Sequence, residues 1–199
     1  MQETARRQQI EDAASALFRE RGYAATSVRD IAQALNIQGP SLYAHVASKE
    51  DVLWSIVWRA ADRFNAEVGP FATATTPPPQ RLRDMIRGHV RVVTSSQKDA
   101  AVFLHEWRFL SPERRSQIAS RRDAYEALFR GAIDDGIGHG YFQPTDVRLA
   151  GMAILSALNG IATWYRPDGI LSADEIADNF ADLFINALRE QHFMTRTIT

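Results

Sequence analysis

Five histidines, His45, His89, His105, His139 and His192, are the residues best suited to catalysis or metal binding, and no two of them stand at i, i+3 or i+4. One helix face therefore cannot offer a metal a pair of imidazoles. The chain has no cysteine, which removes thiolate ligands, disulfides and a thiol nucleophile. It also lacks a phosphate-cradling GxxxxGK(S/T) loop and a GxSxG elbow. His105 and Glu106 are adjacent and could exchange a proton, but a structural role suits them better. The expectation is no catalytic residue, no metal, no cofactor and no enzyme.

What remains is recognition chemistry, in two places. The first is Thr26 to Lys49, TSVRDIAQALNIQGPSLYAHVASK. Thr26, Ser27, Gln38, Gly39, Pro40, Ser41, Tyr43, His45 and Lys49 offer hydroxyls, an amide, an aromatic edge, an exposed backbone and one ammonium. These groups read base edges and hold phosphates. Two short helices must position them. Ser27 with Asp30 forms an S-x-x-D capping box. Val28, Ile31, Ala32 and Leu35 then make one apolar stripe. Asn36 tolerates the left-handed conformation that ends the helix, and Ile37 plugs the corner. Gly39 and Pro40 open the second helix, where a missing N–H costs nothing. Leu42 and Val46 turn inward. This is the pattern of a helix-turn-helix, whose second helix fits the DNA major groove. An ordinary helical corner is the alternative.

The wording narrows that choice. Ile10, Ala13, Ala14, Leu17, Phe18, Glu20, Gly22 and Tyr23, then Thr26-Ser27-Val28, Asp30-Ile31-Ala32, Leu42-Tyr43 and Ser48-Lys49-Glu50 resemble the DNA-binding domain of the tetracycline-repressor (TetR) family. Asn36 and Gln38 depart from the family's usual glycine and hydroxyl residue, and His45-Val46 from a commoner His-Phe. The resemblance implies double-stranded DNA with a palindromic operator as partner, with Lys49 on a phosphate. Arg6 and Arg7 either touch the DNA backbone or simply solvate the first helix.

The second place interleaves aromatics with arginines: Phe103, His105, Trp107, Arg108, Phe109, Arg114, Arg115, Arg121, Arg122, Tyr125 and Phe129, with Trp164, Tyr165 and Arg166 further on. Aromatics at helical spacing are usually core and arginine runs usually solvated face. Together they suggest an apolar chamber with a cationic mouth, suited to an amphiphilic anion. His105 to Ser111, HEWRFLS, and Trp164 to Gly169, WYRPDG, followed by Leu171-Ser172, resemble the TetR branch that controls fatty-acid, steroid and aromatic-acid degradation in response to acyl-CoA thioesters. That resemblance implies an acyl-CoA effector, with His89, Phe103, Trp107, Tyr125, Met152 and Trp164 as lining. Arg114, Arg115, Arg121 and Arg122 are the candidate phosphate contacts. A drug-responsive regulator of an efflux pump, an activator on the same fold, and a ligand-sequestering helical protein remain alternatives.

The elements around these groups read as all-α, about nine helices. A homeodomain-like three-helix DNA-binding domain spans residues 1–47, and a helical ligand-binding and dimerisation domain spans 48–199. Apolar residues make up 45% of the chain, enough for a real core, which argues against disorder. Net charge is −1, and residues 80–130 carry eleven basic against six acidic groups. DNA binding must then rest on placement rather than on bulk charge.

A helix from about Glu3 to Arg21 stops at Gly22, and another runs from Ser48 to about Val68. FATATTPPPQ, residues 71–80, reads as an extended linker, because three prolines in a row exclude helix. Further helices are expected over 80–96, 100–109 and 112–136. Leu149 to Tyr165 carries no charge, yet seventeen residues fall short of a membrane span. Gly151, Asn159 and Gly160 favour a buried interface helix instead. With the last helix, capped by Ser172 and Glu175, it would form a homodimer's four-helix interface. The polar N-terminus lacks a signal-peptide pattern, and the expected compartment is the cytoplasm.

Overall fold

The computed structural model describes residues 2–189. Among them are nine α-helices, one 3₁₀ turn and no strand. The helices are α1 Gln2–Arg21, α2 Val28–Ala34, α3 Gly39–Tyr43, α4 Lys49–Ala72, α5 Pro78–Ser95, α6 Gln97–His105, α7 Pro112–Gly138, α8 Val147–Trp164 and α9 Ala173–Arg189. The 3₁₀ turn, Trp107–Phe109, joins α6 to α7. His192 lies outside the described residues.

The expected caps form. Ser27 Oγ accepts from the Asp30 amide at 3.2 Å, and the Asp30 carboxylate accepts from the Ser27 amide at 2.7 Å. Asn36 takes the left-handed conformation, φ 53°, and the Ile37 amide returns to Ala32 O. Ser48 Oγ accepts from the Asp51 amide at 3.0 Å, and Ser172 with Glu175 closes a reciprocal box. Ile10, Ala14, Phe18, Ile31, Ala32, Leu42 and Val46 are buried together in the small N-terminal core.

The proline reading needs correcting. Residues 71–80 are not an extended linker: α4 continues through Pro70 to Ala72, and Pro78 and Pro79 form the first turn of α5. The first N–H groups of any helix lack an intrahelical acceptor. Proline there loses nothing and arrives with φ already set, so this proline run starts a helix. A second correction concerns 100–109. The α6 helix begins earlier, at Gln97, and ends at His105, and the next residues tighten into the 3₁₀ turn.

In the larger domain α5 lies between α4 and α9. Gly88 makes the α4 contact close: a Cβ there would sit 2.9 Å from Glu67 O. Arg87 donates to Asp178 across the α5–α9 seam at 2.6 Å, and Arg83 pairs with Asp182. Where α1, α4 and α6 meet, the Arg59 guanidinium bridges two buried carboxylates, Glu11 of α1 and Asp99 of α6. Ser15 of α1 also donates to Asp99, at 2.7 Å. The α8 and α9 helices leave Leu149 and Leu183 more than half exposed. Contrary to the expectation for Leu149 to Tyr165, α8 is long and apolar enough to cross a membrane by length and composition, because it begins two residues earlier, at Val147, and spans 18 residues; interface and core helices of soluble folds share that property.

Candidate nucleic-acid interface and ligand pocket

Helix α3 buries Leu42 on its inner side and turns Gln38, Pro40, Ser41 and Tyr43 outward. Tyr43 is the most prominent, an aromatic 55% exposed. Gly39 is half-buried at the N-terminus of α3, and a Cβ there would meet no atom within 4 Å. Its smallness therefore serves no contact inside the chain. His45 is half-buried, and its Nδ1 has no hydrogen-bond partner among the described residues. Ser27 is exposed, but its hydroxyl is occupied by the Asp30 cap.

Two expected contacts are displaced. Thr26 is 1% exposed, and its hydroxyl donates to Gly22 O at 2.9 Å. Its side chain anchors the turn before α2 and is absent from the reading face. The Lys49 ammonium donates to Tyr23 O and Thr26 O, both at 2.8 Å, and lies 4.0 Å above the Tyr23 ring. Burial lowers its pKa. Two of its three donors thus clamp the turn. Arg7 is likewise committed inside, to Glu11, Asp51 and Ser55. Arg29, exposed on α2 beside Gln38 and Gly39 and in no ion pair among the described residues, is a cation that the sequence reading missed. The inward stripe Val28-Ile31-Ala32-Leu35 already implied that it points out.

The second site is a partly open cavity of about 210 Å³ lined by α4, α5, α6, α7 and α8. The candidate lining divides. His89, Phe103, Tyr125, Met152, Arg121 and Arg122 reach it. Trp164 does not: it sits at the end of α8, 49% exposed. Trp107 stands one layer away, under the Arg122 guanidinium at 5.3 Å, which also covers Phe103 at 5.1 Å. Arg114 instead binds Glu50 and Asp51 at the start of α4, at 3.5 and 3.4 Å. Arg115 is exposed outside the pocket. Asn65, Ser156 and Asn159, also on the wall, escaped the sequence reading. The signal for Asn159 was its position as the one amide in an uncharged run.

Electrostatically the two ends differ. Arg121 pairs with Asp62 and stacks 4.2 Å from the Trp58 ring. Arg122 makes no ion pair among the described residues, its Nη1 is buried without a partner, and burial depresses its pKa. At the inner end His89 Nδ1 shares a hydrogen bond with the Tyr125 hydroxyl at 2.9 Å. Burial pushes the His89 pKa down to about 3, partly opposed by neighbouring Asn159, and pushes that of Tyr125 well up. Both are neutral at physiological pH.

A pH prediction follows from His89. Its folded pKa lies below the ordinary 6.5, so below that pH the unfolded chain binds the extra proton. Stability is complete above about 6.5 and falls as pH drops toward about 3, by ~1.4 kcal/mol per unit from this group. His89→Gln should show a shallower decline than the parent in urea denaturation repeated at descending pH. Parallel declines would contradict a buried neutral imidazole.

Comparison with known proteins converges on one group. Residues 10–56 match the bacterial regulatory proteins of the tetR family, and residues 75–188 match the tetracyclin repressor-like C-terminal domain. The chain is 29% identical over 192 residues to the HTH-type transcriptional repressor KstR2 of Mycobacterium tuberculosis, covering 96% of both. Among solved structures it is similar to the TetR-family regulator PfmR of Thermus thermophilus. Identity is 36%, TM-score 0.83, with 91% of this chain and 99% of that one covered. It is also similar to AibR in complex with isovaleryl coenzyme A and operator DNA, at 30% identity and TM-score 0.81, covering 89% and 97%.

Proposed function

We propose, on the premise that the chain belongs to the TetR family of bacterial regulatory proteins, that it is a homodimeric repressor working on DNA in the cytoplasm and released by an acyl-CoA thioester. Recognition and release are binding events, and the protein transforms no substrate. The observation that carries the reading is the physical continuity between the pocket and the turn before α2. Arg122 lies over Trp107, the first residue of the 3₁₀ turn. Phe109, its last, stacks on Tyr23 with centroids 5.5 Å apart. The preceding Glu106 carboxylate accepts the Tyr23 amide at 2.9 Å. Lys49 holds the carbonyls of Tyr23 and Thr26. A thioester anion drawn to Arg122 alters the seat of Trp107, and with it the angle at which α2 and α3 are held.

In this reading Gln38, Ser41 and Tyr43 face base edges, Arg29 a phosphate, and Gly39 the close approach of the DNA backbone. The domain boundary falls at 47/48, with α4 belonging to the larger domain. The α8 and α9 helices of two copies close a four-helix interface. Paired α3 helices then sit one DNA turn apart, roughly 34–36 Å. A hundredfold release requires only about 2.7 kcal/mol of coupling. A fatty acid metabolism regulator protein and the ketosteroid transcriptional regulator KstR2 are among its relatives, and the similar AibR has been solved with isovaleryl coenzyme A and operator DNA.

Gel shift on the DNA upstream of its own gene, with and without acyl-CoA thioesters, tests this. A palindromic footprint lifted by a thioester is expected; no footprint, or none moved by any thioester, would refute it. Trp107→Ala should blunt the response to thioester while operator affinity stays near the parent's. Equal loss of both would show that Trp107 only supports folding.

A further inference from the structure

The inner end of the pocket carries polar atoms that a hydrocarbon chain would waste. His89 is 2% exposed, and its Nδ1 is taken by Tyr125. Its Nε2 is buried without a hydrogen bond of normal geometry, although the Asn159 amide lies against the ring. Phe64, Phe103, Leu155 and Met152 supply the apolar part of the wall, and Asn65, Ser156, Asp123 and Glu126 supply further polar groups. The volume, about 210 Å³, is below the ~300–1,000 Å³ that drug-sized ligands occupy. Only the acyl part of a thioester fits inside, with the coenzyme outside beyond Arg121 and Arg122.

We infer that the acyl group this pocket selects is short and oxygenated, carrying a hydroxyl or keto oxygen that reaches His89 and Asn159. The inference rests on the thioester reading above. A saturated chain would displace whatever water serves Nε2 and the amide and would return no hydrogen bond, which costs affinity. An oxygen atom there replaces those bonds. The oxygen is uncharged, because His89 and Tyr125 are neutral, Arg121 is paired with Asp62 and Arg122 lies over Phe103 and Trp107, while Asp123 and Glu126 on the same wall would repel an anion. A carboxylate at that depth would be desolvated without a counter-charge.

The experiment is calorimetric titration of the full-length dimer with matched CoA thioesters: butyryl, 3-hydroxybutyryl, acetoacetyl and succinyl, then hexanoyl and 3-hydroxyhexanoyl. In at least one matched set an oxygenated member should bind about tenfold or more tighter than its saturated partner. Succinyl-CoA should bind more weakly than acetoacetyl-CoA. In Asn159→Leu, with its fold verified by an unchanged circular-dichroism melting curve, the ratio should fall toward one because saturated chains improve. Saturated chains binding as well as or better than their oxygenated partners, succinyl-CoA binding tightest, or an unchanged ratio in the variant would overturn the inference. If thioesters bind and lift the protein from DNA without preference, only this inference fails. If none binds, the thioester reading fails with it.

Discussion

Arg59→Ala should unfold this protein more readily than any other single charge removal, lowering its stability by about 3–5 kcal/mol, as for one partner of a buried ion pair. The Arg59 side chain is 21% exposed, and the carboxylates it serves are 9% (Glu11) and 11% (Asp99) exposed. Removing it leaves Glu11 to Arg7 alone and Asp99 to a longer 3.6 Å contact with Arg63, in a place that water reaches poorly. Arg7 and Ser15 hold the far sides of those carboxylates and would soften the loss without cancelling it. Arg59→Lys should recover only part, because one ammonium cannot span two carboxylates as the planar fork does. Arg59→Ala combined with Asp99→Asn should lose less than the sum of the two, as expected for partners in contact. Chemical denaturation decides the matter: a cost below about 1 kcal/mol would place the pair among surface salt bridges. Glu11 belongs to α1 and Asp99 to α6, so the same variant should also weaken communication between the DNA-reading and ligand-holding parts.

Tyr43→Ala should abolish specific operator binding while leaving the melting temperature almost unchanged. The side chain is more than half exposed, so its truncation removes little from the core. Each wrong contact in a half-site costs about 1–3 kcal/mol, and a palindrome counts it twice. The dimer should lose roughly thirtyfold to twenty-thousandfold in affinity, about 2–6 kcal/mol. Affinity for unrelated DNA should hardly move, since phosphate contacts supply that part. Competition gel shifts against operator and random duplex measure both. Parallel loss on the two duplexes would mean that Tyr43 touches backbone only.

The first recognition module was readable because its signals are local. The Ser27–Asp30 box, the Val28-Ile31-Ala32-Leu35 stripe and Asn36 each lie within a few residues of what they control, and all stand where expected. Thr26 and Lys49 resisted for a physical reason. A hydroxyl or ammonium bonds whatever carbonyl the chain brings near, and sequence does not say that Gly22 and Tyr23 come first. The three prolines misled because one residue type both breaks helices and opens them. The arginines divided by geometry: Arg121 and Arg122 lie beside Tyr125 on the turns of α7 that face the cavity, while Arg114 sits two turns earlier, opposite α4. Asn159 was in plain view but gains meaning only once α8 crosses α5 and sets it against His89.

Gly88 has a mechanical consequence. Because α5 comes against the backbone of α4 at Glu67, with Val68 beside it, that close crossing is the point about which α4 would pivot. From Val68 back to Lys49 the rod is roughly 28 Å long at ~1.5 Å per residue. A rotation of about 5° at the crossing would sweep the far end through roughly 2.5 Å. Shape changes of a few tenths of an ångström beside such a pivot would be magnified into a misfit between two protein copies and the fixed pitch of a double helix.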